Sequence, residues 1–170
     1  MSSQRRRLLA ELAAELPDYA GSAVRLNIAI AHQVGMPLTD VQCMGLLAAK
    51  PAAPGWLAER LGLTTGAVTK VLDRLERAGY VTRSADPGDR RRVLITAVPT
   101  ALEELGGLFA AVGERMSRDL EGYDEGGLEA ILGFVRAGQQ AAEEEIDRIR
   151  STGLSHAVRG RRGAAGASES

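Results

Sequence analysis

The sequence predicts a mainly α-helical chain with one small β-hairpin, and three observations lead to that class. Apolar residues recur at helical spacing over most of the 170 residues. Only residues 80–84 and 93–98 are rich in β-branched and aromatic side chains, and the turn-forming Asp86, Pro87, Gly88 and Asp89 lie between them. Proline and glycine punctuate the remainder at intervals that suit helix starts and stops.

Taken in order, Leu8, Leu9, Leu12 and Leu16 mark a first amphipathic helix. It is expected to end near Pro17, because the residue before a proline is pushed out of the helical region. A second helix is expected over residues 19–34, with Val24, Ile28 and Ala31 on one face. Thr39 and Gln42 then have the spacing of a capping box, and Leu38 and Cys43 that of a hydrophobic staple, so a helix should start there and run to about Lys50. Pro51 to Pro54 reads as a loop, with Pro54 placed to open a short helix that reaches about Leu61. Gly62, Leu63 and Thr64 make a tight turn, with Thr64 as the cap of the following helix. That helix turns Val68, Val71, Leu72 and Leu75 toward a core and stops at Gly79. The hairpin follows, with a long basic tip. Pro99 opens another helix to about Leu120, and the last is expected over residues 124–150. Beyond Gly153 there is little to bury, so a disordered tail is expected.

Charge and composition narrow the function classes. The formal net charge of −1 hides an uneven distribution. Residues 60–92 hold eight bases against four acids, whereas residues 93–150 hold twelve acids against five bases. A basic middle suits nucleic acid, and the acidic half suits a different task. The basic start at Arg5, Arg6 and Arg7 is followed by Glu11 and Glu15, which interrupt any export signal, and no apolar run is long enough for a membrane span. A cytoplasmic chain without membrane contact is expected. The single cysteine, Cys43, excludes an internal disulfide and the usual zinc spacings. No metal or cofactor is expected. Nothing pairs a nucleophile with a histidine, two carboxylates in a pocket, or a glycine loop with phosphate, so an enzyme is not expected.

Helix, tight turn, helix and basic hairpin together suggest a winged helix-turn-helix. Its second helix enters the major groove, where base edges carry a distinguishable donor and acceptor pattern. The exposed start of that helix needs small and hydroxylic residues. Thr64, Thr65 and Thr69 can reach bases or phosphates, Gly66 permits close approach, and Lys70 supplies a flexible cation. Arg74, one turn on, is expected at a phosphate. Arg90, Arg91 and Arg92 on the hairpin suit a narrow minor groove.

The ordered set Leu57, Ala58, Glu59, Arg60, Leu61, Gly62 and Leu63, then Gly66, Ala67, Val68 and Thr69, then Asp73, Arg74, Leu75 and Glu76 resembles MarR-family regulators. Gly79, Tyr80 and Val81, with Asp86, Pro87, Asp89, Arg90 and Arg91, complete it. The resemblance covers roughly residues 20–150. It implies a homodimer joined through N- and C-terminal helices, binding double-stranded DNA at a pseudo-palindromic operator. The expected division is N-terminal dimerisation helices over residues 1–37, the DNA-binding domain over 38–98, C-terminal dimerisation helices over 99–150, and a tail over 151–170. By analogy Asp89 helps hold the wing tip that carries Arg91, and Asp73 orients a wing arginine. A repressor released by a small apolar or aromatic effector is the expected function, with Leu26, Ile30, Met44 and Phe109 lining the cleft. Val98 and Ala101 depart from the family's usual threonine and glycine at the wing's exit.

Alternatives stand beside several of these readings. The segment from Thr64 to Arg74 taken alone fits an ordinary amphipathic helix, and the arginines a merely soluble turn. An architectural protein binding DNA without sequence preference is the competing function, though the acidic half opposes it. Cys43 invites a redox role, but it sits at an apolar position without a second thiol. His32 is more naturally a surface or capping residue than a metal ligand, and His156 falls in the tail. Trp56 is expected to pack half-exposed, and Glu143, Glu144 and Glu145 to lie on a solvated face.

Overall fold

The structure, a computed structural model, describes residues 2–151. The order of elements is α1 (Ser3–Val34), α2 (Leu38–Ala49), α3 (Pro54–Leu61), α4 (Thr65–Arg77), β1 (Val81–Asp86), β2 (Asp89–Ala97), α5 (Pro99–Leu120) and α6 (Glu125–Ser151). The predicted class, mainly helical with one antiparallel hairpin, is what the chain adopts. The chain divides into two compact units, Met1–Ala111 and Val112–Ser170. The expectations of a disordered tail and of an idle His156 lie outside the described residues.

Two helix starts differ from the sequence reading. Residues expected to form two helices make the single helix α1, which runs through Pro17. Proline there removes one ladder donor, but Leu, Ala and Glu, all strong helix formers, precede it, and Ala20, Ala23 and Leu26 help continue the helix beyond it. At α2 the cap is Pro37 rather than Thr39, and no side-chain cap bond forms. The capping box is therefore absent: Thr39 already lies inside the helix and donates its hydroxyl to Asp40 Oδ1 at 3.2 Å. Pro37 needs no N–H partner, so the helix starts two residues earlier.

In the first unit the main core gathers Cys43, Met44 and Leu47 from α2, Leu57 from α3, and Val68, Val71, Leu72 and Leu75 from α4. Val81 and Ile95 of the hairpin and Ala101 and Leu105 of α5 complete it. A smaller cluster of Ile30, Ala31 and Val41 packs Leu26 and Phe109 against itself. The α3–α4 turn closes at Gly62, whose φ of 67° is a conformation that glycine adopts without a Cβ clash. Gly79 does the same after α4 at φ 79°, where Tyr80 N–H reaches the Leu75 carbonyl at 2.8 Å.

The hairpin is irregular. Val81 to Ala85 pair with Ala97 to Val93 in register, then Asp86 pairs with Asp89 across the turn. The residues skipped on β2 are Arg90, Arg91 and Arg92, so the arginines occupy a bulge beside the turn rather than the turn itself. The hairpin's base is tied to the body by Ala52, which exchanges two backbone bonds with Ile95 at 2.8 and 3.0 Å.

In the second unit, Asp124 Oδ1 accepts from Gly127 N–H at 2.8 Å and caps the start of α6. On α6 Leu128, Leu132, Phe134, Val135, Ile146 and Ile149 are all exposed.

Candidate nucleic-acid interface

The segment expected to read DNA starts with a cap. Thr64 Oγ1 accepts from Ala67 N–H at 3.2 Å, which fixes the first turn of α4 and leaves the hydroxyl proton available to an acceptor such as phosphate oxygen. Thr69 has the opposite disposition. Its hydroxyl donates to the Thr65 carbonyl at 2.8 Å, so it presents lone pairs, suited to a base amino group. Thr65, Gly66, Thr69 and Lys70 are exposed along one end of α4, while Val68, Val71, Leu72 and Leu75 are buried beneath. A Cβ added at Gly66 meets nothing within 4 Å, so within the protein itself that glycine fills no steric need.

Arg74, expected at a phosphate, turns to α2 in this structure, donating from Nε to Asp40 Oδ2 at 3.0 Å and from Nη2 to Asp40 Oδ1 at 2.6 Å while its side chain stays 42% exposed. Asp40 is 2% exposed, and this two-point bond satisfies a carboxylate set in an apolar core. The bond to Asp40 raises the Arg74 pKa further above its ordinary value. The sequence reading overlooked Asp40. An acid in the first turn of a helix reads as a solvated charge at the positive end of the helix dipole, and the nearby Val41, Cys43 and Met44 were the only hint of burial.

The acid expected to orient a wing arginine, Asp73, accepts from Arg83 Nη2 at 2.7 Å, and Glu76 accepts from Arg83 Nη1. Arg83 was not singled out in the sequence. Asp89 Oδ1 accepts from Arg91 N–H at 3.1 Å, and Asp86 Oδ1 accepts from Gly88 N–H at 2.8 Å, so both acids shape the turn. Arg91 and Arg92 are exposed on β2, and Arg90 lies on the same strand.

Of the residues expected to line an effector site, Phe109 borders a groove of about 510 Å³ together with Asn27, Val41, Gln42, Gly45, Leu46, Arg60 and Leu61. Met44 is instead sealed in the main core, and Ile30 and Leu26 belong to the smaller cluster. Helical spacing placed those three on apolar faces, and packing consumed the faces. Cys43 is fully buried, and burial together with the nearby Asp40 charge pushes its thiol up to about 11. His32 lies in the last turn of α1 and lines a groove of about 340 Å³. Trp56, half-buried, carries Lys50 Nζ at 5.6 Å and Arg60 Cζ at 5.8 Å from its ring centre.

Comparisons with known proteins agree with this geometry. The MarR family profile matches residues 34–92, which span α2 to the wing. The uncharacterised HTH-type transcriptional regulator YcgE of Bacillus subtilis is 38% identical over 128 residues, covering 75% of this chain and 83% of the relative. Among solved structures, CouR of Rhodococcus jostii RHA1, bound to p-coumaroyl-CoA, superposes with a TM-score of 0.56 at 21% identity, covering 78% of this chain and 91% of CouR. The transcriptional regulator BldR of Sulfolobus solfataricus gives 0.51 at 23% identity, covering 82% and 99%. The family profile and the match to YcgE, together with the α3–α4 pair and its basic wing, lead to one conclusion: the chain belongs to the MarR family of DNA-binding transcriptional regulators.

Proposed function

We propose that two copies of this chain form a homodimer that reads a pseudo-palindromic operator and represses transcription, and that a small apolar or aromatic effector releases it. The observation that carries the reading is the exposed start of α4, with Thr65, Gly66, Thr69 and Lys70, on the same small domain as an arginine bulge. Thr64, Thr65, Gly66, Thr69 and Lys70 are assigned to the major groove and its phosphates. Arg90, Arg91 and Arg92 are assigned to the adjacent minor groove.

Support for the dimer comes from two exposed seams. On α1, Leu9, Leu12, Leu16, Tyr19 and Ala23 alternate at spacings of three and four, and all five are exposed. On α6, Leu128, Leu132, Val135, Gln139, Ala142, Ile146 and Ile149 alternate the same way, all exposed. Such heptads bury their apolar edge against another helix, and a single polar residue such as Gln139 in the seam specifies register. A two-fold dimer would present two copies of α4 to half-sites about one DNA turn apart.

Support for an effector comes from α2. It lines the groove with Val41, Gln42, Gly45 and Leu46, and through Asp40 it grips Arg74 of the recognition helix. A ligand that prefers one position of α2 therefore biases α4. The solved relative CouR is bound to p-coumaroyl-CoA. The test is DNA affinity measured across a panel of aromatic acids and lipophilic compounds. A compound that weakens binding supports release, and a panel that never changes affinity removes the effector from the proposal.

A further inference from the structure

Outside the apolar core that they share, a side-chain fork joins the wing to α4. Arg83, the third residue of β1, donates one Nη to Asp73 and the other to Glu76. The two acids stand three residues apart on α4, so they present neighbouring carboxylates to one guanidinium. Across the hairpin Arg83 pairs with Ile95, which is fully buried and bonded to Ala52. Arg83 thus stands where the hairpin leaves the body. Beyond it lie Ser84, Ala85 and the bulge that holds Arg90, Arg91 and Arg92.

Charge makes the arrangement informative. Two carboxylates on the helix that reads DNA repel phosphate, so by Coulomb's law alone they weaken binding. With both Nη groups bonded to carboxylates and a surplus negative charge on the trio, Arg83 is a poor phosphate ligand as well. What the trio supplies is direction. We propose that Arg83 is a positioning residue that fixes the angle between wing and recognition helix, and that Asp73 and Glu76 assist DNA binding through it. The proposal rests on the assignment of the wing arginines to DNA.

The test uses the full chain and a duplex that the wild-type protein selects from a random library, with affinity measured over a salt series. The isosteric pair Asp73→Asn with Glu76→Gln removes two negative charges and no cation. Charge alone predicts tighter binding. The positioning role predicts binding about tenfold weaker and a shallower salt dependence, because the wing cations no longer lie in the groove, where they displace counterions, although every cation remains. Arg83→Gln is expected to weaken binding to a similar extent, and the triple variant to be no worse than either, since all three act as one unit. Exposed pairs of this kind contribute little to stability, so melting temperatures are expected to stay close to wild type, and the isosteric pair carries the test if Arg83→Gln unfolds. Unchanged or tighter binding by the isosteric pair overturns the proposal, as does an additive triple variant. Arg91→Ala is the control. If it leaves affinity and salt slope unchanged, the wing assignment itself fails; if it weakens binding while the isosteric pair does not, the positioning role alone fails.

Discussion

A methyl group added at Gly66 finds open space in the free protein, and the residue sits in regular helix without a positive φ. Gly66→Ala is therefore expected to raise stability by roughly 0.5–1 kcal/mol, the helix-propensity difference, in a thermal melt. On the proposed interface the same methyl would stand between the backbone and DNA, so affinity is expected to fall by about tenfold, or roughly 1.4 kcal/mol. Opposite signs in the two measurements identify a glycine kept for an external surface, and unchanged affinity would remove it from the interface. Cys43 gives a second residue-scale prediction. Its buried thiol has a pKa of about 11 against an ordinary value of 9.0, so the folded chain holds the proton more tightly than the unfolded chain. That contribution is complete below pH 9 and is lost as pH rises through about 11. Denaturant midpoints should fall over this window, with a gentler slope in Cys43→Ala; an identical slope would show that the thiol does not titrate on unfolding. A thiol so buried is also a slow nucleophile, which opposes a redox role at neutral pH.

At the scale of elements, the bond between Arg74 of α4 and Asp40 of α2 joins two helices through a carboxylate that is 2% exposed. Arg74→Met orphans that charge and is expected to destabilise the chain by about 2–3 kcal/mol in a denaturation curve, somewhat below the loss for a fully buried pair because Arg74 is partly exposed. Adding Asp40→Leu should recover most of the loss. A single variant as stable as wild type would show that the pair contributes nothing. This bond also marks what was legible in the sequence. The α3–α4 turn was readable because its signals are local: Pro54 at a helix start, Gly62 in the turn, Thr64 as a cap. Asp40 and Arg74 are 34 residues apart, and no local pattern brings them together. The same holds for Arg83, which reads as one more basic residue in a strand until α4 is packed beside it. Pro17 shows the reverse error, a strong local breaker outweighed by the helix formers around it. The bulge of three arginines was legible as a basic segment, but its register required the paired strand.

On the scale of the whole molecule, the exposed seams on α1 and α6 are the feature a lone chain does not explain. A charge placed in either, Leu12→Glu or Ile146→Glu, is expected to shift the particle from dimer to monomer by light scattering. Because each monomer then holds one half-site, operator affinity should fall by a hundredfold or more, on the order of 3 kcal/mol. A wild-type chain that already sediments as a monomer would remove both the dimer and the palindromic operator. Sequence-specific recognition stands above both, since an architectural protein of the same fold would share the helices, the wing and the charge distribution. The decisive measurement is equilibrium binding of the purified protein to the DNA upstream of its own gene and to duplexes that it selects from a random library, each against a scrambled duplex of equal length, over a salt series. Specific regulation predicts at least one duplex bound about 1,000-fold or more tightly than its scrambled counterpart, weakening as salt rises. Equal affinity for every duplex, at every salt concentration, would contradict it.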